Sequence, residues 1–434
     1  MRHFGAVSWA ATCIVWLALS GCSANTATRD DNVVRFVPDK RAVPVRPPVV
    51  QPRPVAVAPT TDEPTAQVAM HEVLGEEEDL HSRPLLAAYP ALREKLPMVA
   101  LAEFPTPITK YDRLGAELGI GALYFKRDDL AGDPYGGSKV RKMEFLFGEA
   151  KQAGNSTVIA MGGVGSNTTM ATALHAPRVG LSALLLLAPH PVDDEVRYKL
   201  RAMHKLGGAM RACPHLEGCF QVAGRLIREA GGRRRYYAMG PGATSPLGNV
   251  GFVNAAFELK EQIDRGLMPV PDTIYMAAGT MGSAAGLIVG LRAVGLRTRV
   301  VAVKTTFWVT DARLRGQILL TARYLRSIDE SFPLVGFGFN DHSIEHGQYG
   351  FAHAHPTKEA TLAIELVREH AGIQLDRTYT GKAFAALIDD APKLSRKVVL
   401  FWNSYDPRRI PVGDVAASDL PPKLQRYLGT NTPP

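Results

Sequence analysis

Three glycine-containing turns carry the side chains in this chain that are best suited to chemistry. The first, Tyr135-Gly136-Gly137-Ser138-Lys139-Val140-Arg141-Lys142, sets two lysines three residues apart, and on a helix such a pair shares a face. A lysine amine shielded from water becomes a nucleophile and a base, although a Ser-capped glycine turn before a basic helix is also common structure. The second is Met161-Gly162-Gly163-Val164-Gly165-Ser166-Asn167-Thr168-Thr169. Backbone N–H groups at such a turn can take a carboxylate, while Ser166 and Asn167 serve equally as helix caps. The third is Ala277-Ala278-Gly279-Thr280-Met281-Gly282-Ser283-Ala284-Ala285-Gly286. A loop of this kind wraps a phosphate, but taken alone it is unspecific.

Each turn sits where an α/β fold gathers ligands, at the carboxyl end of a strand before a helix. Apolar runs of strand length fall at 123–126, 157–161, 182–187, 273–277, 299–303 and 398–402, with amphipathic stretches at 139–152, 167–176, 283–293 and 360–371. This alternation predicts an α/β fold with helices flanking open sheets. The 434 residues, 46% hydrophobic, leave room for a two-domain enzyme-sized body. With only four cysteines, a small disulfide-stapled scaffold is excluded. The net charge of +8 comes without a basic stripe interleaved with aromatics, so it predicts no nucleic-acid partner.

The N-terminus reads as a secretory signal. An apolar run from Phe4 to Leu19 is too short to span a membrane and ends in Leu19-Ser20-Gly21-Cys22. That ending resembles a bacterial lipobox, which implies cleavage after residue 21 and lipid attachment at Cys22; the alternative is an ordinary cleaved signal. With Ser23 following, the resemblance implies an anchor in the outer membrane facing the periplasm. Residues 22–85 are rich in Pro, Val and Thr, which predicts a disordered, polyproline-like tether.

Taken together, the ordered segments resemble the D-cysteine desulfhydrase and 1-aminocyclopropane-1-carboxylate deaminase family of pyridoxal-phosphate enzymes. They are Phe104-Pro105-Thr106-Pro107-Ile108, Lys126-Arg127-Asp128-Asp129, the turns at Gly136 and Gly162, Pro246-Leu247-Gly248-Asn249-Val250-Gly251-Phe252 and Leu375-Asp376-Arg377-Thr378-Tyr379-Thr380-Gly381-Lys382-Ala383. The resemblance implies a tryptophan-synthase-β-like fold (fold type II) with pyridoxal 5'-phosphate between two domains. The larger domain comprises 86–141 and 246–425, and the smaller one, 142–245, is inserted in it.

By the same resemblance Lys139 matches the Schiff-base lysine and Lys142 a phosphate contact. Gly279, Thr280, Met281, Gly282 and Ser283 match the phosphate cup. Asn167 would face the cofactor's ring hydroxyl, and Ser166, Asn167 and Thr168 the substrate carboxylate. Tyr349 and Tyr379 match the family's catalytic tyrosines, which as bare residues read more simply as core. Thr380 stands where the deaminase branch has Glu, and with Ser404 it resembles the desulfhydrase side. A hydroxyl leaves the ring nitrogen less positive than a carboxylate does, which suits β-elimination. The expected reaction is α,β-elimination from a small β-substituted D-amino acid, D-cysteine first among them. The alternatives are the ring-opening deaminase and a binding protein that keeps the scaffold without turnover.

Some positions depart from the family pattern. Thr168 replaces Gln, Met170 replaces Arg, Asn403-Ser404-Tyr405-Asp406 replaces His-Thr-Gly-Gly, and the stretch 351–357 is enlarged, with His353 and His355 in it. These changes fall on the carboxylate loop and the pocket wall. No metal site is expected, because the histidines come without ordered carboxylate or cysteine partners. Cys213 and Cys219 can pair in an oxidising compartment or stay as buried thiols. A homodimer follows from the resemblance.

Overall fold

The computed structural model describes residues 83–429 apart from 233, 234, 337, 339 and 340. The signal, Cys22 and nearly all of the tether lie outside the described residues.

Ten strands are described: β1 Ile108–Lys110, β2 Ala122–Arg127, β3 Thr157–Gly163, β4 Ser182–Ala188, β5 Ala209–Ala212, β6 Tyr236–Ala238, β7 Thr273–Ala278, β8 Arg299–Lys304, β9 His342–Glu345 and β10 Val398–Asn403. They form a six-stranded sheet in the order β1-β2-β10-β7-β8-β9 and a four-stranded sheet in the order β5-β4-β3-β6. Apart from the antiparallel edge strand β1, every pairing is parallel. The smaller sheet is built wholly from residues between β2 and β7.

Parallel strands need helical crossovers and end up covered on both faces. The helices include α1 Pro84–Ala88 and α2 Pro90–Lys95, both before the first strand, then α3 Asp112–Glu117, α4 Lys139–Gln152, α5 Asn167–Arg178, α6 Asp194–Lys205 and α7 Leu216–Glu229. The remainder are α8 Pro246–Asp264, α9 Gly282–Ala293, α10 Asp311–Ile328, α11 Lys358–Ala371, α12 Thr380–Asp390 and α13 Pro422–Gln425. Central strand β10 shows the double coverage. Val399 and Phe401 enter one core with Phe125 and Phe384, whereas Leu400 and Trp402 enter the other with Phe252. A continuous apolar run of strand length is the sequence signature of such burial. No helix among the described residues is long and apolar enough to cross a membrane.

Beneath the larger sheet, charge is buried and matched. Lys126 on β2 donates to Glu258 on α8, to Gln262 and to the Thr106 carbonyl. Arg141 on α4 pairs with both Asp128 and Glu258 at 2.7 Å, and the Trp402 indole donates to Asp128. Burial alone would raise the Glu258 carboxyl, but Arg141 and Lys126 hold it down to about 2. Arg83, at the start of the described chain, forms a second buried pair with Glu144 on α4. Removing one partner from such a network strands a buried charge.

Candidate active site

The carboxyl ends of β3, β7 and β10 open onto one cavity of about 380 Å³. This is the strand-end position that open α/β sheets use for ligands. Among the sequence-predicted site residues, Lys139, Ser166, Asn167, Thr168, Gly279, Thr280, Met281, Ser283, Tyr379 and Ser404 all line it.

Lys139 opens helix α4. The turn before it is stitched to the loop after β10: Ser138 N donates to the Ser404 carbonyl at 3.2 Å, and Gly136 N to the Asp406 carboxylate at 2.8 Å. These bonds hold the start of α4 against the end of β10 and so aim Lys139 into the cavity. Its amine makes no hydrogen bond among the described residues. Burial lowers its pKa, partly countered by the charges of Asp376 and Asp128, which moves the amine toward its nucleophilic form.

Lys142, one turn further on, is buried beside the cavity rather than on its wall. Its ammonium donates to Thr244 Oγ1 at 2.9 Å and to the Gly242 carbonyl at 3.3 Å, without a carboxylate partner among the described residues. Burial, reinforced by Lys139, pushes its pKa well down. Nearby, the first residues of α9 present backbone N–H groups, and Met281 caps the helix at φ 64°. Gly282 is needed there, since a Cβ would stand 2.2 Å from Asn249 Oδ1 and 2.6 Å from Lys142 Nζ. Asn249 Oδ1 is itself buried without a partner. An unpaired cation beside a helix N-terminus, crowded against a glycine loop, fits a phosphate group.

Ser166 caps α5, its Oγ accepting from Thr168 N at 3.2 Å and Thr169 N at 3.4 Å. The hydroxyl hydrogen remains free to donate, so the turn presents donors to a carboxylate. Asn167 Oδ1 accepts from Lys199 Nζ at 2.5 Å, which leaves its Nδ2 as a donor. Lys199, on α6, is thus a positioning residue that motif reasoning misses, because only the packing of α6 on α5 brings it there.

Tyr379 precedes α12, and burial followed by the charge of Asp376 raises its pKa, so the phenol stays protonated. Asp376 is a hub. Its carboxylate accepts from the backbone N–H groups of Thr378, Tyr379 and Thr380.

Four predicted residues lie off the cavity wall: Lys142, Gly282, Tyr349 and Thr380. Tyr349 sits in a 3-10 turn with its carbonyl accepting from Lys382 Nζ, and His353 from the enlarged stretch lines the cavity beside Tyr379. The Thr380 hydroxyl donates to Asp376 Oδ1 at 2.7 Å and accepts from Asp376 N at 2.9 Å. It is fully engaged within its own helix cap. Cys213 and Cys219 are joined as a disulfide, closing the loop whose residues 214–217 form part of the wall. No group of His, Cys, Asp or Glu among the described residues is arranged to hold a metal ion.

Covered parallel sheets with a buried lysine and glycine-rich turns gathered at the strand ends are the architecture of the tryptophan-synthase-β-like enzymes that use pyridoxal 5'-phosphate. Residues 99–404 match the pyridoxal-phosphate dependent enzyme family, and the chain belongs to it. A Pyrococcus abyssi protein carrying the name 1-aminocyclopropane-1-carboxylate deaminase is 33% identical over 308 residues, 70% of this chain and 89% of that protein. D-cysteine desulfhydrase of Serratia proteamaculans is 33% identical over 310 residues, 69% of this chain and 90% of the enzyme. The crystal structure of an ACC deaminase homologue superposes with a TM-score of 0.64 at 30% identity, covering 73% of this chain and 94% of that one. The protein is a pyridoxal-phosphate-dependent lyase of the 1-aminocyclopropane-1-carboxylate deaminase and D-cysteine desulfhydrase type.

Proposed function

We propose that the protein catalyses α,β-elimination from a small β-substituted D-amino acid, with D-cysteine the first substrate to test. D-cysteine and water would give pyruvate, sulfide and ammonia. The carrying observation is that one cavity joins Lys139, the Ser166 turn and Tyr379. When bound, the cofactor draws electron density from the substrate's Cα. Lys142 and the N–H groups at the start of α9 would hold its phosphate, with Lys139 its attachment point. The Ser166 hydroxyl and the Asn167 side-chain amide would fix the substrate carboxylate, orienting the Cα hydrogen toward Lys139. The Lys139 amine would take that proton, and the protonated Tyr379 phenol would give one to the departing β-substituent. Ser404, a hydroxyl on the cavity wall directly after β10, favours elimination over ring opening.

Export with a lipid anchor at Cys22, and a homodimer, complete the reading. The Cys213–Cys219 disulfide supports an oxidising compartment. The test is keto-acid release by the full chain, loaded with pyridoxal phosphate, from D-cysteine, L-cysteine and 1-aminocyclopropane-1-carboxylate. Release from D-cysteine that disappears in Lys139→Ala is the expected result. Release from the cyclopropane substrate alone would replace elimination with ring opening.

A further inference from the structure

Two histidines outside the machinery above share the cavity wall. His190 follows β4, and His353 comes from the stretch 351–357; their rings meet edge to face at 6.0 Å, and His353 lies 5.8 Å from the Tyr379 ring. His353 Nδ1 is 2.8 Å from the Thr305 carbonyl, and His190 Nδ1 is 3.0 Å from the Pro191 carbonyl. A carbonyl oxygen only accepts, so each Nδ1 carries the hydrogen and each Nε2 is left with its lone pair. Neither Nε2 has a protein partner among the described residues.

The pair is held in place. His190 packs on the carboxylate turn so closely that a Cβ at Gly163 would stand 2.8 Å from its Cδ2. Burial keeps both rings neutral, His190 down to about 4 and His353 below its ordinary value. A row therefore runs from the carboxylate turn through His190 and His353 to Tyr379. The rest of the wall offers a carboxylate little cationic help: Lys139 is the one Lys or Arg among the described lining residues, while Asp406 is already paired with Arg408 and His215 with Glu217.

Resting on the reading of this cavity as the amino-acid site, we propose that His190 and His353 form an acceptor pair that selects substrates whose side chain ends in an N–H or O–H donor. Carboxylate side chains are refused by the same wall. Of the neutral β-substituents, a hydroxyl or amide satisfies the pair better than a thiol, which is a weak donor, so D-cysteine would be bound less tightly than the hydroxyl and amide members of the same proposed substrate class.

The test uses isosteric amino acids. The full chain, loaded with pyridoxal phosphate, is mixed with asparagine, leucine or aspartate of each chirality. Dissociation constants come from the change in visible absorbance of the bound cofactor within the first turnover. The expected result is asparagine bound about tenfold more tightly than leucine, equivalent to about 1.4 kcal/mol, and more tightly than aspartate. The asparagine-to-leucine ratio should fall toward one in His353→Phe and in His190→Phe, and return in His353→Gln, which restores an acceptor. Equal ratios in the wild type and both Phe variants, or aspartate bound as well as asparagine, would overturn the proposal alone. A chain that forms no Lys139-dependent absorbance band on loading would overturn the function and this inference together.

Discussion

Arg141 and Lys142 are neighbours on α4, both buried, and the fold treats their charges in opposite ways. Arg141 faces the larger sheet, where Asp128 and Glu258 neutralise it. Lys142 faces the other way, toward the α9 loop, with hydroxyl and carbonyl partners only. Lys139, one turn earlier, has no carboxylate partner either, and no hydrogen-bond partner of any kind among the described residues. Burying a charge costs free energy unless something compensates for it. Beneath the sheet the chain supplies that compensation itself. In the cavity it is withheld, and the deficit is what an anionic cofactor would make good. Matched charge marks structure here, and unmatched charge marks the site.

Four substitutions probe that contrast. Lys139→Ala should lower turnover by more than about a thousandfold while the protein stays folded, since nucleophile and base go together; steady-state rates beside circular dichroism check it. Arg141→Met should cost about 3–5 kcal/mol in denaturant unfolding, because Asp128 and Glu258 are then left buried and uncompensated. Near-normal stability in that variant would mean the network is not what holds α4.

His175 gives a pH-dependent case. It is fully buried with Nδ1 unpartnered, and burial, with Arg178 nearby, lowers its pKa from 6.5 to about 4. Between those values the unfolded chain binds the proton and the folded one does not, so stability is lost as pH falls through that window. The loss amounts to about 3 kcal/mol, and unfolding curves of His175→Asn should be flatter over the same range. The smallest effect should come from Lys142→Met. Without cofactor its stability should match or exceed the wild type by about 1 kcal/mol, while its affinity for pyridoxal phosphate should drop at least about tenfold. Opposite signs of stability change at positions 141 and 142 would be the clearest form of the contrast.

Much of this is legible in the sequence where chemistry is local. The turns at Gly136, Gly162 and Gly279 combine glycine, a capping residue and an adjacent helix within a few positions, and all three reach the cavity. Helix α4 spans the predicted 139–152, and the six predicted strands are present with ends extended by one or two residues. What escapes is distant or conditional. Lys199 reaches Asn167, and Asp406 reaches Gly136, only through the crossover topology. The short strands β1, β5, β6 and β9 have too few residues to show a period. Motif matching favours Tyr349, yet the enlarged stretch after it brings His353 to the wall instead. Nor does sequence reveal that Asp376 uses both hydrogen-bonding roles of the Thr380 hydroxyl.

Whether the unmatched charge on α4 is reserved for the cofactor can be read by trapping the attachment point. The full chain is loaded with pyridoxal phosphate, reduced with borohydride, digested and mapped by mass spectrometry. The predicted result is a single phosphopyridoxyl group on Lys139, lost in Lys139→Ala. A label on Lys126 or Lys199, or none in a folded, loaded protein, would mean that the charge on α4 is not reserved for the cofactor.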